Sequence, residues 1–307
     1  MSSNSTIDIT GFPAKRYGFY DNVIGKDTLA TLNLLKSSVL VSISGALRIH
    51  IAFLLLQLNS MFLHCFAGGL IIYSVYTIDR AMDAEEDSVN RSELKGASNK
   101  CALVVSLICF VIGAGILASS GLILIAFIPL ITGYLYTKGI EIGNLKLRLK
   151  GGMGVKNLVV GITWGTFIAG IAGYYSASFL ATILVFLFFG IKLFVNSAIY
   201  DFKDIEGDMI AGIMTLPVSL GEKKTRHLLF GLHIAIHILL IISLFKGMIG
   251  FEPIILIYSL GAGITSIRSF TKPLEFESMK NETKRLLIVD GESSSIVGIK
   301  AIANCIL

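Results

Sequence analysis

Charge is what this sequence has least of. Lys, Arg, Asp and Glu make up 15% of its 307 residues, against roughly 25% in a typical soluble domain, which excludes an ordinary water-soluble enzyme. Cysteine is sparse and unpatterned. Cys65, Cys101, Cys109 and Cys305 stand in apolar stretches with neither metal-ligand spacing nor a disulfide framework, so they read as small core residues. A signal peptide is missing as well: Lys15, Arg16, Lys26 and Lys36 interrupt any apolar run in residues 1–36, which read as a cytoplasmic N-terminal arm. The formal charge of +5 in so apolar a chain suits loops facing an anionic leaflet better than a nucleic-acid surface, so no nucleic-acid partner is expected.

Apolar length is what the chain has in abundance. Hydrophobic residues make up 54% and there are 31 glycines, enough for nine spans of about 20 residues each. Apolar runs fall at 37–56, 60–78, 101–119, 121–137, 157–175, 178–200, 227–246, 250–268 and 286–306. The expected fold is therefore an all-α integral membrane domain over 37–307, with nine transmembrane helices as two four-helix halves plus a ninth. The loops after the second, fourth, sixth and eighth runs are long and basic, while those after the odd runs are a few residues each and carry a single basic residue, Lys246. The positive-inside rule makes the long loops cytoplasmic, in a multi-pass protein of the cell membrane with its N-terminus inside. In the fifth run Gly161, Gly165, Ala169 and Gly173 form a stripe of small residues suited to close helix packing.

The scarce acids are concentrated. Ten of the 21 lie in or beside two stretches, Tyr76-Thr-Ile-Asp79-Arg-Ala-Met-Asp83-Ala-Glu85-Glu86-Asp87 with Glu93, and Tyr200-Asp201-Phe-Lys203-Asp204-Ile-Glu206-Gly-Asp208. Spacings of three and four place Asp79, Asp83 and Asp87 on one helical face, and Asp201, Asp204 and Asp208 on another. Four crossings separate the stretches, so both emerge on the same side. Like charges so spaced repel, more strongly near the low dielectric of a membrane, and a hard divalent cation with oxygen ligands relieves them. Mg²⁺ usually takes one or two carboxylates and fills other positions with phosphate oxygens, so two facing ladders suggest a diphosphate held between them. The competing explanation is a solvated acidic cap neutralised by Arg80 and Lys203.

With these motifs in view, the chain resembles the UbiA superfamily of intramembrane prenyltransferases. The second stretch, running on to Gly212-Ile-Met-Thr215-Leu-Pro217, looks like the family's DxxDxxxD signature and the Gly-x-x-Thr-Leu-Pro that follows it. The first is similar to NxxDxxxD, with Tyr76 where Asn is usual, and Asn90-Arg91-Ser92 stands where Asn-Arg-Pro is common. Tyr136-Thr-Lys138 and Lys156-Asn157 fit the same pattern. The resemblance implies nine helices around a central cavity and Mg²⁺-dependent transfer of a prenyl group from a prenyl diphosphate to an aromatic or other lipophilic acceptor. It implies that Asp79, Asp83, Asp201, Asp204 and Asp208 hold metal and diphosphate. Tyr76 either hydrogen-bonds a metal-bound water or anchors the interface. Lys138, Lys146, Arg148 and Lys203 are candidates for diphosphate contact. Arg48, Lys192 and Asn196 are intramembrane polar groups expected to meet substrate, Arg48 alternatively pairing with Asp290 or Glu292. A secondary transporter is the rival class, but transport sites lie near the midplane on broken helices, whereas these carboxylates sit at helix ends. The Asp-Gly/Ala-Arg pattern of CDP-alcohol phosphotransferases is not present.

Overall fold

The structure, a computed structural model, describes residues 26–82, 97–137, 140–142, 145–147, 153–210, 213–272 and 283–306. Helix α1 (Lys26–Ser37) runs almost directly into α2 (Val39–Leu55), and α3 (Phe62–Met82), α4 (Asn99–Ala118) and α5 (Ile123–Thr137) follow. A small antiparallel hairpin, β1 (Ile140–Ile142) and β2 (Leu145–Leu147), pairs Ile140 with Leu147 and is the one departure from all-α structure among the described residues. The second half holds α6 (Val155–Gly173), α7 (Phe179–Asp201), the short α8 (Ile205–Ile210) and α9 (Leu216–Leu220), then α10 (Glu222–Phe245) and α11 (Pro253–Phe270). A π-helical turn, Leu286–Asp290, leads into α12 (Glu292–Ile306).

Among the described residues seven helices are long and apolar enough to cross a membrane, and they are apolar on their outer faces as well as their inner ones. Leu103, Val104, Leu107 and Val111 of α4 and Ile238 and Ile242 of α10 are exposed, while Ile49, Phe53, Ile71, Phe167 and Ile171 form a closed core where α2, α3 and α6 meet. A helix apolar all round has lipid on one side and protein on the other. The chain is a multi-pass membrane protein.

The two halves repeat one packing scheme. Helix α3 packs on α2, α4 and α5, and α4 on α5; likewise α7 packs on α6, α10 and α11, and α10 on α11. Contacts of α5 with α6, α11 with α12 and α12 with α2 close the bundle into a ring. Along α6 the glycine stripe sets the closest approach. A Cβ on Gly161 would stand 2.6 Å from the Gly190 carbonyl oxygen of α7, and one on Gly165 2.9 Å from the Gly190 Cα.

Three details depart from the expected spans. The first transmembrane helix starts near Asp27, so residues 26–36, expected in the N-terminal arm, belong to a helix packed on α3 and α4. Helix α5 has 15 residues, about 22 Å at 1.5 Å per residue, shorter than a bilayer core of about 30 Å. The ninth span is broken at Gly291, whose N–H bonds Leu286 O at 3.0 Å, where a Cβ would lie 2.4 Å from Leu287 O.

Candidate active site

On α3, residues at helical spacing turn Val75, Tyr76 and Asp79 toward α5 and α6. They line a small cavity of about 100 Å³ with Pro129, Gly133, Thr163 and Trp164. A second cavity of about 440 Å³ continues between α3 and α5 and shares Val75, Asp79 and Gly133. Its other walls are Ile78, Met82, Leu130, Ile131, Tyr134 and Leu135, so Asp79 stands at the edge of an almost wholly apolar space. The Tyr76 ring stacks on Trp164, centroids 5.4 Å apart and planes 12° from parallel, and the Arg80 guanidinium lies 5.8 Å from the Tyr76 centroid. Arg80 is steered by Ser38, the buried residue between α1 and α2, whose Oγ accepts hydrogen bonds from Arg80 Nη1 and from Thr77 Oγ1.

The second carboxylate stretch is not one helical face. Helix α7 ends at Asp201, a tight turn follows in which Lys203 N bonds Tyr200 O at 3.1 Å and Asp204 N bonds Asp201 O at 3.2 Å, and α8 restarts at Ile205. The break buries Asp201 completely and leaves Asp204 and Lys203 exposed. Asp201, expected among the metal ligands, is held by protein on both oxygens. Lys156 Nζ donates to Oδ1 at 2.8 Å, and Asn157 Nδ2 donates to Oδ2 at 2.8 Å and to Ser197 Oγ at 3.0 Å. Both donors open α6, so the small-residue contact that draws α6 onto α7 also seats this network. Asp208 is half-buried, and its Oδ2 has no hydrogen-bond partner, nor has the buried Thr215 Oγ1. Burial pushes the Asp208 carboxyl above the ordinary carboxylate range, Lys156 opposes the rise, and Asp201 and Asp204 add to it.

The halves meet between these stretches. Tyr200 donates to Asp290 Oδ2 at 2.6 Å, and Arg285, 2% exposed, lies 5.2 Å from the centroid of the Tyr200 ring. Tyr76 and Tyr200 are within electrostatic reach of each other and of Asp290. Arg48, Arg80 and Arg285 all act on the Asp290 carboxylate. Lys192 is engaged elsewhere: it pairs with Glu292 at 2.9 Å, both buried, and donates to Ser259 O at 3.3 Å. Asn196 is half-buried on α7. Asp83, Lys138 and Arg148 lie outside the described residues, as does the side chain of Lys146 on β2.

Residues 37–286 match the UbiA prenyltransferase family. The chain belongs to that family. This UbiA-family protein is 33% identical over 170 residues to the digeranylgeranylglyceryl phosphate synthase of Sulfolobus acidocaldarius, an alignment covering 52% of the chain and 54% of the relative. It therefore spans little more than half the length of that relative. Its fold is that of a UbiA homolog from Archaeoglobus fulgidus bound to DMAPP and Mg²⁺, at 16% identity and a TM-score of 0.57, covering 88% of this chain and 99% of the other. A UbiA homolog from Aeropyrum pernix K1 gives a TM-score of 0.60 at 16% identity, covering 86% and 98%.

The residues of this family member fit a divalent cation. The donors are carboxylate oxygens, the chemistry a hard cation takes, and the unsatisfied Asp208 Oδ2 is a buried acceptor waiting for one. Among the described residues no three acidic, His or Cys side chains already converge on one point, and Asp83, which would complete the α3 stretch, is not among them. Sequence reasoning left Lys156, Asn157, Arg80, Ser38, Trp164 and the Tyr200–Asp290 pair out of the site. Lys156-Asn157 did carry a signal, its place in the family pattern. The others act through contacts between distant helices that spacing does not reveal.

Proposed function

We propose that this protein transfers a prenyl group from a prenyl diphosphate to a lipophilic acceptor inside the membrane, with Mg²⁺ at its carboxylates. One observation carries the reading: a carboxylate, Asp79, at the edge of an apolar cavity, which matches a ligand with an anionic head and a hydrocarbon chain. The relative named a digeranylgeranylglyceryl phosphate synthase and the neighbour bound to DMAPP and Mg²⁺ support it.

Asp79, Asp83, Asp204 and Asp208 would hold the cation, which supplies charge neutralisation for a departing diphosphate. Asp201 positions its partners: by fixing Lys156 and Asn157 it keeps an ammonium beside Asp208. Lys156 and Arg80 then face the anionic head together with Lys138, Lys146, Arg148 and Lys203. In the transfer the allylic C–O bond breaks with its electron pair leaving on the diphosphate. A hydroxyl oxygen or aromatic carbon of the acceptor bonds the freed carbon, and the acceptor's proton is released. The stacked faces of Tyr76 and Trp164 favour positive charge beside them, and the apolar walls keep water from competing for the cation. The site faces the cytoplasm, the side of the long basic loops, in a cell-membrane protein.

Purified protein with Mg²⁺ and a labelled prenyl diphosphate should consume the donor only when a suitable lipid or aromatic acceptor is present. Asp79→Asn and Asp204→Asn should each abolish turnover. Normal turnover in both, or indifference to chelation, would refute the reading. Counter-ion-dependent solute flux in vesicles would favour a transporter instead.

A further inference from the structure

The elbow between α8 and α9 is well tied down, yet two of its buried side-chain oxygens bond nothing among the described residues. Ile213 N bonds Asp208 O at 2.8 Å and Thr215 N bonds Ile213 O at 3.1 Å, so two backbone hydrogen bonds in series link Asp208 to Thr215. Pro217, in the first turn of α9, locks its own φ. The buried Leu216 wedges against Gly154 ahead of α6, where a Cβ would stand 2.9 Å from Leu216 Cδ2, and its carbonyl accepts from Thr225 Oγ1 at 3.0 Å. Thr215, 4% exposed, is thereby held beside both the start of α6 and Asp208.

The Thr215 hydroxyl makes no capping bond to the backbone of α9. It lies within reach of the Asp208 carboxyl, yet no hydrogen bond closes between them, and both Thr215 Oγ1 and Asp208 Oδ2 are without a partner among the described residues. A buried polar atom left so costs stability, and a side chain of the same shape without the oxygen costs less. A purely structural elbow is therefore better served by valine than by threonine at this position. The oxygen at residue 215 has its use in the liganded protein.

Two neighbouring acceptors call for a group that donates twice. A water on a divalent cation does so, because its lone pair is on the metal and both protons point outward, and Mg²⁺ keeps several of its waters when carboxylates and phosphates hold it. The local charge favours a cation: Asp201 and Asp204 add negative charge around Asp208, and Lys156, which opposes it, is bonded to Asp201. We propose that Thr215 is a positioning residue for the cation, its Oγ1 and Asp208 Oδ2 accepting the two protons of one water of the Mg²⁺ shell and so fixing where the metal stands against the diphosphate. The inference rests on the prenyl-transfer reading above. Thr215 itself touches neither the metal nor the substrate, and it acts through that water. Groups that hold a metal's ligands from behind typically change metal affinity by about 10- to 100-fold when removed.

The chain's single tryptophan, Trp164, lines the cavity beside Asp79, so its fluorescence reports donor binding without turnover. The full-length protein in detergent, with a fixed concentration of a prenyl thiolodiphosphate, is titrated with Mg²⁺. Thr215→Val should need about 10- to 100-fold more Mg²⁺, reach the wild-type fluorescence change at saturation, and melt no lower than wild type without ligand. Thr215→Ser, which restores the hydroxyl, should titrate as wild type does. Ser219→Ala removes another buried oxygen without a partner, four residues along the chain, and should also titrate as wild type. A Thr215→Val midpoint equal to that of wild type, a Thr215→Ser midpoint as high as that of Thr215→Val, or an equal shift in Ser219→Ala would overturn the proposal. So would a Thr215→Val protein that melts lower and never regains the fluorescence change, the mark of a structural role. A wild type whose response ignores Mg²⁺ would sink the prenyl-transfer reading and this inference with it, whereas a Mg²⁺-dependent wild type beside an unshifted Thr215→Val sinks this inference alone.

Discussion

Replacing Asp208 by Asn should strengthen the ligand-free protein and cripple the liganded one. The carboxylate is half-buried with an oxygen that no protein group satisfies, and burial raises its pKa. A neutral amide is cheaper to hold in that place. An unsatisfied buried acceptor costs roughly 1–3 kcal/mol, and screening at a half-exposed group cuts this to about 1 kcal/mol, or about 2–4 °C in Tm for a chain of this size. The sign with pH follows from linkage. Because the folded pKa lies above the unfolded value of about 3.9, the proton-linked stability is complete below that value and is lost as pH rises through the folded pKa. The advantage of Asp208→Asn should therefore be largest at neutral pH and shrink on acidification. With Mg²⁺ and a prenyl thiolodiphosphate at a hundred times Kd, wild type should gain about 2.7 kcal/mol and the variant almost none, so the order of stabilities reverses. Differential scanning fluorimetry in detergent measures both arms across pH. A variant less stable without ligand, or one stabilised by Mg²⁺ and diphosphate as much as wild type, would refute the reasoning.

Lys156→Met strands the buried Asp201 carboxylate and should cost about 3 kcal/mol, most of it recovered in Lys156→Met/Asp201→Asn; a thermal double-mutant cycle reads the coupling. Gly165→Val drives a side chain into the Gly190 backbone and should cost about 1–3 kcal/mol or more, while Gly231→Val, which meets nothing within 4 Å, should unfold as wild type does. Glu292→Gln leaves Lys192 buried without its anion and should cost about 3–5 kcal/mol, with donor binding by the Asp79 site retained. Trp164→Ala removes the face stacked on Tyr76 and should cost about 3–5 kcal/mol of stability, with a fall in turnover that Trp164→Phe largely restores.

Most of the fold was legible because a bilayer imposes length and polarity on every span. The start of the first span was not, since Lys26 and Lys36 bracket a mixed stretch whose burial of Ala30 and Leu34 comes from contact with α3 and α4. The π-turn at Leu286–Asp290 leaves no mark in hydropathy. In the site, Asp79 was legible as a carboxylate near a helix end. The network around Asp201 was not legible, because Asp201, Asp204 and Asp208 keep helical spacing across a turn that breaks the helix, and its partners Lys156 and Asn157 lie 45 and 44 residues away. Tyr76 shows the same limit. Its place in the motif suggested contact with metal-bound water or the interface, whereas its stacking on Trp164 depends on how α3 meets α6.

The central claim is that the carboxylates hold a diphosphate through a divalent cation. Titrating the purified protein with a prenyl thiolodiphosphate while following Trp164 tests it directly. Binding should saturate with Mg²⁺, vanish after chelation, and be absent in Asp204→Asn at any Mg²⁺ concentration. Tight binding that ignores Mg²⁺, or survives in Asp204→Asn, would contradict it.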